Sequence, residues 1–284
     1  MKLITWNMQS GRGLDGQLDL ARIASTARAL ADFDVLCVQE VADNFPAVTG
    51  GDTGNQFEQL GALLDGFRCA AGYGVDVASG DGGRRRFGNA IYSRYGILAI
   101  RRHALPWPAD PGKESMPRVA VEAVVQAPMG PLRITTTHLE YYSDLQRRAQ
   151  AHRLRAIHDE MCHRAREPGF ASVDRGPFTA SPQPASAILT GDFNFAAENP
   201  AYAEIQAPLS GAGPRYRDPW PQLEGKRPHA PTFCVHDRRY SKTPYCCDFA
   251  FVSEDLLQRV RRIEVDTATR ASDHQPVLLE LDDR

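Results

Sequence analysis

Residues able to hold a metal or a phosphate follow apolar runs at several points along this chain. Asn7 closes Thr5-Trp6-Asn7, Glu40 closes Val38-Gln39-Glu40, and His138 stands in Thr136-Thr137-His138-Leu139. Further on come Gly191-Asp192-Phe193-Asn194, Asp248-Phe249-Ala250-Phe251 and Ser272-Asp273-His274. Metal-assisted phosphate ester hydrolysis uses this set. Hard oxygens hold magnesium, neutral amides grip phosphate oxygens, and histidines partnered by carboxylates move protons. The pattern points to an enzyme.

Each position has its own physical reading. A carboxylate ending the apolar run 35–38 is costly unless something compensates it, and a divalent cation beside Glu40 would. Asn7 carries a neutral amide that can share the metal or bind the phosphate. Asp192 and Asn194 are two apart, so an extended backbone would aim both at one face. There the carboxylate can orient or deprotonate a water, while the amide donates to a phosphoryl oxygen. Asp273 and His274 are neighbours and serve one site only if the backbone turns between them, which Pro276 permits. Asp248 suits His274 as a carboxylate partner that fixes its tautomer; a salt bridge to Arg238 or Arg239 is the competing reading.

The elements that would carry these residues can be read from periodicity. Lys2 to Trp6 reads as a strand, and Leu20, Ile23, Ala24, Ala27, Leu30 and Ala31 follow helical spacing. Val35 to Val38 is a buried strand, and Phe57, Leu60 and Leu64 mark a second helix. Strands are expected around 67–77, 88–93, 97–103, 119–126 and 132–138. A long helix then carries Leu145, Ala149, Leu154, Ile157 and Met161. Prolines and glycines between Arg166 and Ser186 suit a surface loop. Ala187 to Thr190 feeds Gly191-Asp192, and closing strands run from Phe249, Val260 and Val277. Residues 208–245 read as an irregular rim that sets specificity. Motifs spread from residue 7 to residue 274 argue for one domain over residues 1–284. Strand-helix alternation followed by runs of strands suggests two packed sheets with helices outside.

Composition narrows the possibilities. A formal net charge of −2 gives no overall pull towards nucleic acid, so a polyanion site must be local. The start is no signal peptide, and no stretch approaches the ~20 apolar residues of a membrane span. No Cys-x-x-Cys spacing occurs, so Cys37, Cys69, Cys162, Cys234, Cys246 and Cys247 read as reduced thiols of a cytoplasmic protein. Arg84-Arg85-Arg86 reads as the end of a glycine-rich loop.

Taken in order, the motifs resemble those of the endonuclease/exonuclease/phosphatase superfamily, over nearly the whole chain. The resemblance implies a four-layer α/β/β/α sandwich, deoxyribonuclease I-like, with two mixed sheets flanked by helices and the site at one sheet edge. It implies a Mg2+-dependent phosphoester hydrolase in which Mn2+ can substitute. Glu40, Asn7 and Asp273 then fall to the metal, and His138, Asp192, Asn194, Asp248 and His274 to catalysis. His138 is matched to a residue that donates to a phosphate oxygen, and Arg118 and Asn89 to phosphate contacts. Either His274 or Asp192 is the base.

Thr137-His138-Leu139-Glu140 replaces the tyrosine–proline–asparagine–glycine stretch of the abasic-site repair branch, and Gly191-Asp192-Phe193-Asn194-Phe195 lacks the arginine of the inositol phosphatase pattern. The histidine-type branch remains. Its expected substrate is a phosphodiester, with nucleic acid as a partner and no membrane anchor. A phosphatase or phosphodiesterase on a small molecule or lipid headgroup is the alternative, and a non-catalytic binding protein the remote one. A zinc site on His229 and His236 has no defensible spacing.

Overall fold

The computed structural model describes residues 1–80, 82–167, 176–178 and 180–283. In chain order the strands are β1 (Lys2–Asn7), β2 (Val35–Asp43), β3 (Arg68–Ala78), β4 (Arg84–Ser93), β5 (Ile97–Ala104), β6 (Val119–Ala127), β7 (Gly130–His138), β8 (Ala187–Asp192), β9 (Tyr216–Arg217), β10 (Asp248–Ser253), β11 (Val260–Val265) and β12 (Val277–Leu281). The helices are α1 (Leu20–Leu30), α2 (Pro46–Thr49), α3 (Gln56–Leu63), α4 (Asp144–Arg166), α5 (Pro200–Ile205) and α6 (Trp220–Glu224). One sheet has the order β11-β12-β1-β2-β4-β3 and the other β5-β6-β7-β8-β10-β9. Both are mixed: β1 and β2 run parallel, as do β7 and β8, and the other pairings are antiparallel.

Period-two alternation explains the layers. Leu3, Val35, Cys37 and Leu279 of the first sheet face inward and pack on Val121, Val125, Ile134, Ile188 and Val252 of the second. Their neighbours Ile4, Trp6, Leu36, Val38 and Leu278 face outward, under Ile23, Ala27 and Leu60 of α1 and α3. On the far side, Ala151, Leu154, Ile157 and Met161 of α4 cover Leu189, Phe249 and Phe251. The result is the expected α/β/β/α sandwich. Helix starts have ordinary caps: Asp19 accepts from the Arg22 N–H, and Ser143 from that of Gln146.

Differences from the pattern reading are local. β4 starts at Arg84, so the three arginines lie in a strand, not a loop, and Arg84 and Arg86 pair with Asp76 and Asp43 at 2.8 and 3.1 Å. Those cross-strand pairs extend the hairpin where apolar alternation is absent. The short elements α2, α5, α6 and β9 have too few residues for a periodic signal. Of the proline-rich stretch 166–186, residues 168–175 and 179 lie outside the described residues. The six cysteines are free.

Candidate active site

Strand direction brings the motifs to one edge. Asn7 pairs in register with Gln39 across β1 and β2, and His138 with Asp192 across β7 and β8. The carboxyl ends of both parallel pairs therefore lie on the same side. β10 is antiparallel to β8, so its first residue, Asp248, falls opposite Asp192. Gln39 ties the sheets together beneath the site, with its amide donating to Thr5 at 3.2 Å and Thr136 at 2.8 Å.

The backbone departs from regular strand where the side chains must converge. Glu40 has φ 59° at a register shift between Val38 and Val41, and Asn194 has φ 52°. Asn194 is thus not in extended continuation of Asp192, as its spacing suggested. Its backbone N–H donates to Asp192 Oδ1 at 2.9 Å and its side chain to the Leu139 carbonyl at 2.9 Å. Gly191 has φ 140°, and a Cβ there would stand 1.9 Å from the Thr137 carbonyl oxygen. Only glycine fits that approach.

Asp192 is the hub. Its Oδ2 accepts from Asn7 Nδ2 at 3.0 Å and lies 3.4 Å from His138 Nε2 and 3.6 Å from His274 Nε2. His274 Nδ1 lies 2.9 Å from Asp248 Oδ2, and the ring stacks on Phe233 with centroids 4.4 Å apart. The Asp248 carboxylate therefore serves His274, while Arg239 pairs with Asp237. Asn7 also donates to Glu40 at 3.0 Å, so its amide nitrogen faces the two carboxylates. Asp273 and His274 follow a turn tied by Ser272, whose hydroxyl donates to the Asn7 carbonyl, and Trp6 Nε1 donates to the His274 carbonyl.

Burial and charge sort these groups. Burial pushes the Asp192 carboxyl up to about 6, with the Asp248 charge adding and His274 opposing. Burial likewise raises Asp273 to about 6, with Glu40 adding, and raises Glu40 against the Asn7 hydrogen bond. His138 is held well below its usual range by burial and by the charges of Arg118 and His274. For His274 burial acts in the same direction, but the Asp248 and Asp192 carboxylates outweigh it and raise the imidazole well above its usual range. Pairs of titratable groups pushed apart in this way are typical of acid–base sites.

A cavity of about 360 Å³ opens over Glu40, Arg118, His138, Asp192, Asn194, Asp273 and His274. Asn89 lies to one side: it is buried, donates to the Val119 carbonyl at 2.9 Å, and borders a small recess shared with Arg118 and His138. Arg118 is buried against Glu140 at 3.3 Å. The walls are a collar of Phe45, Val48, Val75, Phe87, Met116, Tyr141, Tyr142, Phe233 and Tyr240, which the motifs did not announce. Gln9 was also unforeseen; it donates to Asp273 Oδ2 at 2.9 Å. Cys247 offers its sulfur in a group with Asp192 and His274 whose ligand atoms all lie within 4.8 Å of one another. Burial holds the Cys247 thiol well above its usual range and its S–H donates to Asp248, so it is a poor ligand, whereas Glu40 and Asp273 offer hard oxygens.

With this geometry in view, the sequence profile described as the Endonuclease/Exonuclease/phosphatase family matches residues 4–274. The chain belongs to this family. It is a hydrolase of phosphoester bonds, of the kind that works with a divalent metal. Solved structures share the fold across almost the full length. An endonuclease/exonuclease/phosphatase from Bacteroides vulgatus is 21% identical with a TM-score of 0.66, covering 99% of this chain and 98% of that one. A Bacteroides thetaiotaomicron mannosyl-6-phosphatase is 20% identical with a TM-score of 0.65 and 99% coverage of both. The human Nocturnin catalytic domain, solved with bound sulfate, is 15% identical with a TM-score of 0.61, covering 99% and 93%. No curated protein matches the sequence significantly. Among the described residues no helix is long and apolar enough to cross a membrane.

Proposed function

We propose that this enzyme, acting as one domain over residues 1–284, hydrolyses phosphodiester bonds of a nucleotide or nucleic acid by in-line attack of a water. The observation that carries the reading is the Asp192 carboxylate set between two imidazoles on a cavity floor, with one imidazole held by Asp248. Asp192 takes the proton of the attacking water. His274 is committed to two carboxylates, so it orients Asp192 and balances its charge instead of serving as the base. His138 donates to the leaving oxygen. Arg118 and Asn194 border the same floor and supply donors as charge develops.

Glu40 and Asp273 are two buried-edge carboxylates raised by lack of solvent, and Asn7 stands against Glu40. The two carboxylates would fit Mg2+, with Mn2+ as substitute, while Asn7, whose amide nitrogen faces Glu40 and whose Oδ1 accepts from the Gln9 N–H, positions Glu40 instead of offering an oxygen. A bound ion would supply charge neutralisation and polarise the phosphoryl oxygen.

The collar favours a second reading, a small phosphoester with an apolar or aromatic group. Hydrolysis of bis(p-nitrophenyl) phosphate, p-nitrophenyl phosphate and single- and double-stranded DNA and RNA separates the two, with Mg2+, Mn2+ or chelator and beside Asp192→Ala. Metal-dependent diester cleavage that vanishes in the variant supports the first. Activity on monoesters alone selects a phosphatase. The mechanism fails if Asp192→Ala and His138→Ala each lower hydrolysis by less than about tenfold while remaining folded.

A further inference from the structure

A second recess of about 730 Å³ adjoins the catalytic cavity, and Gln9 lines both. Its walls carry Arg12, Arg238, Arg239 and Arg270, with His236 and one carboxylate, Asp237. Four guanidinium groups against one carboxylate leave a formal excess of three positive charges, in a chain whose formal net charge is −2. The carboxylate is already taken: Asp237 binds the Arg239 guanidinium at 2.6 Å. Arg12 donates to the carbonyls of Gly16 and Val48. Arg238 spends one donor on the Lys242 carbonyl at 3.1 Å, and Arg270 is exposed with no side-chain partner among the described residues. Guanidinium groups gathered without matching acids repel one another, and a shared multivalent anion relieves that repulsion through charge-assisted hydrogen bonds.

We propose that this recess is a binding subsite for a second phosphate of the substrate. The inference rests on the phosphodiesterase reading and extends it. The scissile phosphate lies on the Asp192 floor, the apolar part of the substrate lies against the aromatic collar, and a neighbouring phosphate is held beyond Gln9 by Arg238 and Arg270. The recess sits at one side of the cavity only, so it selects esters that carry a phosphate on that side. It also places a local polyanion site on a molecule without overall positive charge.

The test compares thymidine 5′-(p-nitrophenyl phosphate) with the same ester bearing a 3′-phosphate. The two share one scissile bond and differ by one phosphate. The 3′-phosphate is expected to raise kcat/KM by about tenfold or more, the size of a charge-assisted contact. The Arg238→Gln/Arg270→Gln double variant should erase that gain and leave the rate on the plain ester unchanged. Both residues are exposed, so the variant is expected to keep its thermal stability. Where the esters are hydrolysed, an equal rate on the two in the wild type, or a gain that persists in the variant, overturns the subsite. Calorimetric binding of thymidine 3′,5′-bisphosphate and thymidine 5′-monophosphate, without added metal, gives a readout independent of turnover. Weaker binding of the bisphosphate alone in the double variant supports the subsite even if neither ester is hydrolysed, in which case the phosphodiesterase reading alone falls. Equal affinities for the two ligands in the wild type, or the same loss for both, overturn it.

Discussion

Replacing Asp248 by Asn tests the proton-handling geometry directly. The carboxylate is buried, absent from the cavity wall, and 2.9 Å from His274 Nδ1. Asn keeps the shape and removes the charge. Asp248 Oδ1 has no hydrogen-bond partner among the described residues, and Oδ2 also accepts from the Cys247 thiol at 3.5 Å, a weak contact beside the His274 bond. What chiefly disappears is one charge-assisted hydrogen bond, together with the carboxylate that holds the imidazole charged. Such a bond is worth ~1.5–3 kcal/mol. At about 1.4 kcal/mol per tenfold, kcat should fall roughly 10- to 150-fold. The assay is steady-state hydrolysis of bis(p-nitrophenyl) phosphate at saturating Mg2+, with thermal unfolding measured in parallel. If His274 is the group through which Asp248 acts, Asp248→Asn combined with His274→Gln should be no slower than His274→Gln alone. Retention of activity within about twofold would refute the reasoning. So would additive losses in the double variant, which would mean that Asp248 acts elsewhere.

Other expectations follow from single features. Gly191→Ala forces a Cβ to 1.9 Å from the Thr137 carbonyl at φ 140° and should cost more than about 3 kcal/mol, read as a large drop in Tm; an unchanged Tm would show that the two strands separate easily. Burial raises the Glu122 carboxyl, but its bonds to His103 and Arg101 and the Arg133 charge reverse this and bring it to about 2. A depressed carboxyl stabilises the fold above its ordinary value of 4.5 and loses that contribution as the pH falls towards 2. Glu122→Gln should therefore cost on the order of 3 kcal/mol at neutral pH in denaturant unfolding, with the gap to wild type narrowing below pH 4.5; a pH-independent gap would contradict this. Chelation should abolish turnover, and Glu40→Gln should weaken calorimetric Mg2+ binding by roughly tenfold or more; unchanged affinity would move the ion away from Glu40.

The sequence alone marked strands and helices, because apolar runs such as Val35 to Val38 and helical spacing in Leu20, Ile23 and Ala27 are local consequences of strand and helix geometry; their order suggested two packed sheets, and the four-layer stack came with the family resemblance. It also singled out most of the polar side chains that the structure gathers around the cavity, because carboxylates, amides and imidazoles at the ends of apolar runs are costly and therefore conspicuous. Tertiary structure decided the rest. Only the packing of two sheets, with β10 antiparallel to β8, places Asp248 against His274 and both beside Asp192. The positive φ at Glu40 and Asn194 overrides the two-residue period, and no neighbour in the sequence signals it. The Phe45-to-Tyr240 collar draws on β3, β4, α2 and several loops, and the arginines of residues 12, 238, 239 and 270 come from segments far apart in the chain. Their meeting depends on long-range chain closure, to which local periodicity is blind.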